Sequence, residues 1–202
     1  LETIRRKTDI EEIRQITETI NSWHNIHQHL DLIVGLPWED LKRFKQSFND
    51  VYSMEPEQLQ LGFLKILKGS YMEELILECD LLYSAAPPYE VLQTKWLSYR
   101  DVLELKDIEE MTEVHYNSRQ FTCTLKELEK EFDTPYEMFS FMAGYYNKNH
   151  LFGISHSRIA RYEILWKIIQ ERLEETGKCE TQAMTENVNI SEKLELYRDL
   201  LM

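Results

Sequence analysis

The chain has 202 residues, 43% hydrophobic and 29% charged, with a net charge of −13. This is the composition of one or two globular domains, and it excludes collagen-like, coiled-coil-array and disordered-tail classes. No apolar run approaches the ~20 residues of a membrane span. No leader peptide is expected, and three sparse cysteines fit a reducing cytoplasm, the expected location. The chain begins at Leu1 rather than methionine, so the expectation is a piece of a longer protein.

Charge is uneven. Residues 1–70 hold 9 Lys+Arg against 11 Asp+Glu, so most of the negative charge lies downstream. That acidic part repels a phosphate backbone, and nucleic acid is not an expected partner. Its charge reads as solvated surface. Cys79, Cys123 and Cys179 stand 44 and 56 residues apart, so no local metal or disulfide framework is encoded.

In chain order, residues 8–23 read as a helix behind a capping box, Thr8-Asp9-Ile10-Glu11, with Ile10, Ile13, Ile16 and Ile20 as its stripe. Residues 27–34 read as a strand stopped by Gly35-Leu36-Pro37. Residues 38–53 return to helical spacing through Leu41, Phe44, Phe48 and Val51, and Pro56 breaks them. Residues 58–67 read as a second strand closed by Gly69-Ser70. Strand, helix and strand with short links predict a parallel, right-handed βαβ unit.

Downstream, residues 71–83 look helical and Pro87-Pro88 interrupts. A helix over 99–117 carries Val102, Leu105, Ile108, Met111 and Val114. Thr124-Leu125-Lys126-Glu127 reads as a second capping box, and Thr134-Pro135 opens another helix. A long helix runs from Ser155 to a terminating Gly177, residues 178–190 form a linker, and 191–201 a last helix.

Period-two alternation puts His27, His29, Asp31 and Ile33 on one face of the first strand, with Gln28, Leu30, Leu32 and Val34 opposite. In the second strand Gln58, Gln60 and Gly62 oppose Leu59, Leu61 and Phe63. Parallel strands covered on both sides are apolar throughout. One polar face on both strands therefore points to a barrel interior that holds something. His27, His29 and Asp31 are spaced loosely enough for a metal, but hydrogen-bonded lumen residues are the favoured reading. His24 is expected at an exposed helix end, and His115, His150 and His156 as isolated groups. Two parallel strands cannot close a sheet, so their borders must be covered or paired.

The run His29 to Asp40, with Phe44, Ser47 and Phe48 after it, resembles the fifth strand and following helix of radical S-adenosylmethionine enzymes. Gln58 to Ser70 resembles their sixth strand, and Thr3 to Thr8 the piece after their fourth. The nearest likeness is to the cobalamin-binding group, which includes Fe–S oxidoreductases and proteins like the magnesium-protoporphyrin monomethyl ester oxidative cyclase. The helical remainder is similar to a C-terminal domain of that group through Pro88 to Leu92, Trp96 to Tyr99 and Tyr116 to Ser118.

The fold so implied is α/β: residues 1–72 as late βα units of a TIM-like partial barrel, and 73–202 as a mostly helical domain. The implied cofactors of the parent are S-adenosylmethionine, an iron–sulfur cluster and cobalamin. Ile33 would lie against adenine and Gly35 would give it room. Glu39 belongs to the same motif, and Asp31, His29 and Gln60 would face the lumen. Trp38 stands where the family often has glycine, and Tyr71 where it often has proline. The cluster motif CxxxCxxC is absent from the 202 residues, so radical activity is not expected from the chain alone. The implied partners are the missing half of the barrel and a cobalamin-binding domain. The helical part could also serve as an interaction module for them, and an open strand border offers a homodimer contact.

Overall fold

The computed structural model describes residues 9–183 and 190–201. Helix α1 (Ile10–Trp23) is capped by Asp9, whose carboxylate accepts from the amides of Glu11 and Glu12. Thr8, expected as the cap, lies outside the described residues. The inward residues of α1 are Ile13, Thr17 and Ile20, while Ile10 and Ile16 face water. The expected stripe takes two successive steps of three, Ile10 to Ile13 to Ile16, and each such step rotates about 60° off the helical face.

Strand β1 (His29–Val34) pairs in parallel with β2 (Gln58–Phe63), His29 against Gln58 and Ile33 against Gly62. Between them α2 (Leu41–Tyr52) is capped by Asp40 and buries Phe44, Phe48, Val51 and Tyr52. The expected faces are visible in the burial. Leu59, Leu61, Phe63 and Val34 are buried, whereas His29, Asp31 and Gln60 are exposed. Gln28 sits on the apolar side yet is buried with its needs met. Its amide donates to Glu57, and its side chain donates to Thr17 O and Asn21 Oδ1. Among the described residues the sheet stops at these two strands, so no closed barrel forms.

The helix expected over 71–83 is much shorter. Helix α3 (Tyr71–Glu74) ends where the Leu75 amide turns back to Met72 O. Turns then lead to an antiparallel pair, β3 (Leu82–Tyr83) and β4 (Val91–Gln93). Strands of two and three residues are too short to show a period in sequence.

Helix α4 (Tyr99–Met111) opens on a Ser98–Asp101 capping box and buries Val102, Leu105, Ile108 and Met111 completely. It passes into a π-helical turn, Thr112–Asn117, which buries His115 and leaves Val114 half-buried. From this turn Tyr116 donates to Pro56 O at 2.6 Å. Asn117 pairs with both backbone groups of Leu59, accepting its N–H at 2.9 Å and donating to its carbonyl at 3.0 Å. A side-chain amide thus takes the place of a neighbouring strand on the outer border of β2.

The chain divides into two compact units, Leu1–Asn117 and Ser118–Met202. The β3–β4 pair and α4 belong to the first. A buried cluster of Leu64, Ile66, Met72, Leu75, Cys79, Leu81 and Val91 ties the pair to the end of β2.

The second unit is helical. Helix α5 (Thr122–Leu128) begins two residues before the expected cap, so Thr124 is interior and buried, its hydroxyl donating to Leu200 O. Helix α6 (Pro135–Lys148) starts as expected, with the Thr134 hydroxyl accepting from the Glu137 amide. Helix α7 (Arg158–Ala183) starts three residues later than expected, with the Ser157 hydroxyl accepting from the Ala160 amide. It continues through Gly177, because glycine in a helix costs only about 1 kcal/mol, so the expected linker begins inside a helix. Helix α8 (Ile190–Leu201) closes the chain. Arg172 staples this unit: its guanidinium donates through Nε and Nη2 to Glu131 O and lies 4.3 Å from the Phe132 ring centre. No described helix is long and apolar enough to cross a membrane.

Candidate functional site

The C-terminal end of β1 gathers the residues with chemistry to offer. In parallel α/β sheets this is the end where ligands bind. The chain leaves β1 through Gly35 at φ 91° and reaches Trp38 at φ 67°, a left-handed conformation that is strained for a tryptophan. The turn is held by the Glu39 amide donating to Leu36 O and by Arg43 Nη1 donating to Trp38 O.

Gly35 is required by its neighbour. A Cβ there would come within 2.7 Å of Val91 Cγ1, and Val91 is fully buried. Gly62 is different. A Cβ there would meet only Leu32 O, at 3.7 Å, so the floor beside Ile33 is flat and open.

Glu39 is half-buried, and its carboxylate accepts from the Ser47 hydroxyl at 3.1 Å. Burial pushes its pKa above the ordinary carboxylate value, and the Ser47 hydrogen bond and the Arg43 charge pull partly back. The indole of Trp38 packs against that of Trp96, ring centres 4.8 Å apart and planes tilted by 46°.

The other expected residues sit lower. Asp31 lies across from Gln60. His29 is at the strand's N-terminal end, about 13 Å from Ile33 at the usual strand rise. Its ring meets that of His27 edge-on at 4.7 Å. Among the described residues no three His, Cys, Asp or Glu side chains converge on a common metal position. Cys79 is buried, and its thiol is pushed up by that burial; Cys123 is exposed in the other unit.

His24 is exposed at the end of α1, His150 is exposed, and His156 is half-buried with Nε2 2.9 Å from Leu151 O. No sequence pattern marks a role for Val91 or Gly62, or a contact for Trp96. The Val91 and Trp96 contacts join segments more than 50 residues apart, and no local pattern announces them.

Residues 78–197, more than half of the chain, match a family described as protein of unknown function, DUF4080. The chain belongs to the DUF4080 family. The DUF4080 match takes in β4 and Trp96, which reach the strand ends from the downstream side. The chain is also 35% identical over 63 residues to the oxygen-independent coproporphyrinogen-III oxidase-like protein HemZ of Bacillus subtilis (strain 168). That stretch covers 28% of this DUF4080 protein and 13% of the length of HemZ.

Proposed function

We propose that this chain supplies the late βα units of a radical S-adenosylmethionine enzyme, with the DUF4080 region carried behind them. The observation that carries the reading is the parallel β1–β2 pair. One face is apolar and packed, the other polar and open, and β1 runs into a Gly-Leu-Pro-Trp-Glu turn whose carboxylate is held by Ser47. The likeness to the HemZ protein supports it.

In this reading the nucleoside of S-adenosylmethionine lies against Ile33 over the flat floor at Gly62. Glu39 stands at the turn beyond, and Asp31, Gln60 and His29 face the lumen below. Gly35 shapes the turn by admitting Val91. Bound and reduced, S-adenosylmethionine would supply radical chemistry to the complete enzyme. The residues of this chain position it and shield one side from water. The three cysteines of the chain lack the CxxxCxxC spacing, so an iron–sulfur cluster would be held by another part of the protein. Cobalamin likewise would sit in a domain outside this chain, and no residue here is assigned to it. The exposed Ile10, Ile16, Trp23 and Ile26, together with the β1 border, favour a second role for the same chain, docking that remainder.

The test uses the protein encoded by the complete reading frame, purified without oxygen and loaded with iron and sulfide. With dithionite and S-adenosylmethionine it should release 5′-deoxyadenosine, measured by chromatography, and the 202-residue chain alone should release none. A reading frame lacking CxxxCxxC, or a loaded protein that releases no 5′-deoxyadenosine, would refute the proposal.

A further inference from the structure

We propose that Trp38 and Trp96 form a stacking platform for a planar, electron-poor heteroaromatic ring at the open end of β1. The inference rests on the reading above only for the identity of that end as the substrate side. Trp96 meets Trp38 at a 46° tilt, and Trp38 remains 54% exposed, so ring surface beside the pair is accessible among the described residues.

The arrangement is pre-organised on both sides. Trp38 is held at φ 67° with its carbonyl accepting from Arg43 Nη1. Trp96 is fixed by its amide donating to Thr94 Oγ1, by the next amide donating to the same oxygen, and by Lys95 N donating to Cys79 O. Its ring packs against the buried cluster that includes Val91. An exposed indole in a strained backbone conformation is costly to maintain, and such strain concentrates at binding sites. Indole faces carry negative potential and prefer electron-poor or cationic rings.

The chain is labelled with 5-fluorotryptophan, and its four fluorine resonances are assigned by single Trp→Phe variants. 1-Methylnicotinamide is the probe, and N,N-dimethylpiperidinium, equal in charge but without a π-face, is the control. The probe should shift the Trp38 and Trp96 resonances and leave Trp23 and Trp166 in place, and the control should shift none. Trp38→Ala should weaken binding roughly fivefold to a hundredfold, the range for loss of one ring-on-aromatic stack. Trp38→Phe should recover part of it. Trp38 is exposed, so amide spectra of both variants should match the parent and exclude misfolding. Unmoved Trp38 and Trp96 resonances, equal shifts with the control, or undiminished binding in Trp38→Ala would overturn the proposal. Release of 5′-deoxyadenosine by the complete protein with Trp38 unmoved removes the platform alone. Selective shifts without that release keep the platform and remove the enzyme reading.

Discussion

Replacing Asn117 by alanine should destabilise the first unit far more than a half-buried polar residue usually would. The amide closes both hydrogen bonds of Leu59, a residue with no solvent exposure, at 2.9 and 3.0 Å. Removing it strands one buried backbone donor and one acceptor, and each unsatisfied group costs about 1–3 kcal/mol. Partial access of water along the strand border lowers the sum, so the expected loss is about 2–4 kcal/mol. Asn117→Asp separates pairing from volume. It keeps an acceptor for the Leu59 N–H but sets a second oxygen against the Leu59 carbonyl, and it places a charge beside Glu113, which now accepts from Nδ2 at 2.8 Å. It should be as damaging as alanine. Urea unfolding measures both variants, and hydrogen exchange at the Leu59 amide reports the local opening. A loss below about 0.5 kcal/mol, or an aspartate variant as stable as the parent, would show that the β2 border does not depend on this side chain.

Gly35→Ala should cost about 2–4 kcal/mol in thermal or urea unfolding, from a side chain at positive φ and a forced shift of the buried Val91; Val91→Ala in the same background should recover part of it. Glu39 gives a pH signature. Its folded pKa is raised, so its protonated form favours the fold; that contribution is complete below the unfolded carboxylate value and disappears as pH rises through the folded one. Glu39→Gln should therefore lose this acid-side dependence and exceed the parent in melting temperature near neutral pH. Parallel melting curves for the two proteins across that range would contradict the assignment.

The parallel pair is legible because alternation is strict over residues 58–63 and broken only at Gln28 and Ile33 over residues 27–34, and the intervening α2 is amphipathic. Thr134-Pro135 and Ser98 were legible because capping chemistry is local. The α5 start was misread because Thr124 has the spacing of a cap but is drawn inward, its hydroxyl reaching Leu200 O across 76 residues. Gly177 misled for the opposite reason: glycine permits a helix end without enforcing one. The β3–β4 pair is held by contacts with the strand ends rather than by its own short strands. At the candidate site, Ile33, Gly35 and Glu39 stood out as a run, but what each one meets came only from the fold: Gly62 opposite Ile33, Val91 against Gly35, Ser47 on Glu39.

The Asn117 amide also sets a limit on assembly. A strand arriving at the start of β2 would meet the Leu59 backbone already paired with that amide. Two copies joined through β1 would each present this same obstacle at the far side, which disfavours growth by addition of a third.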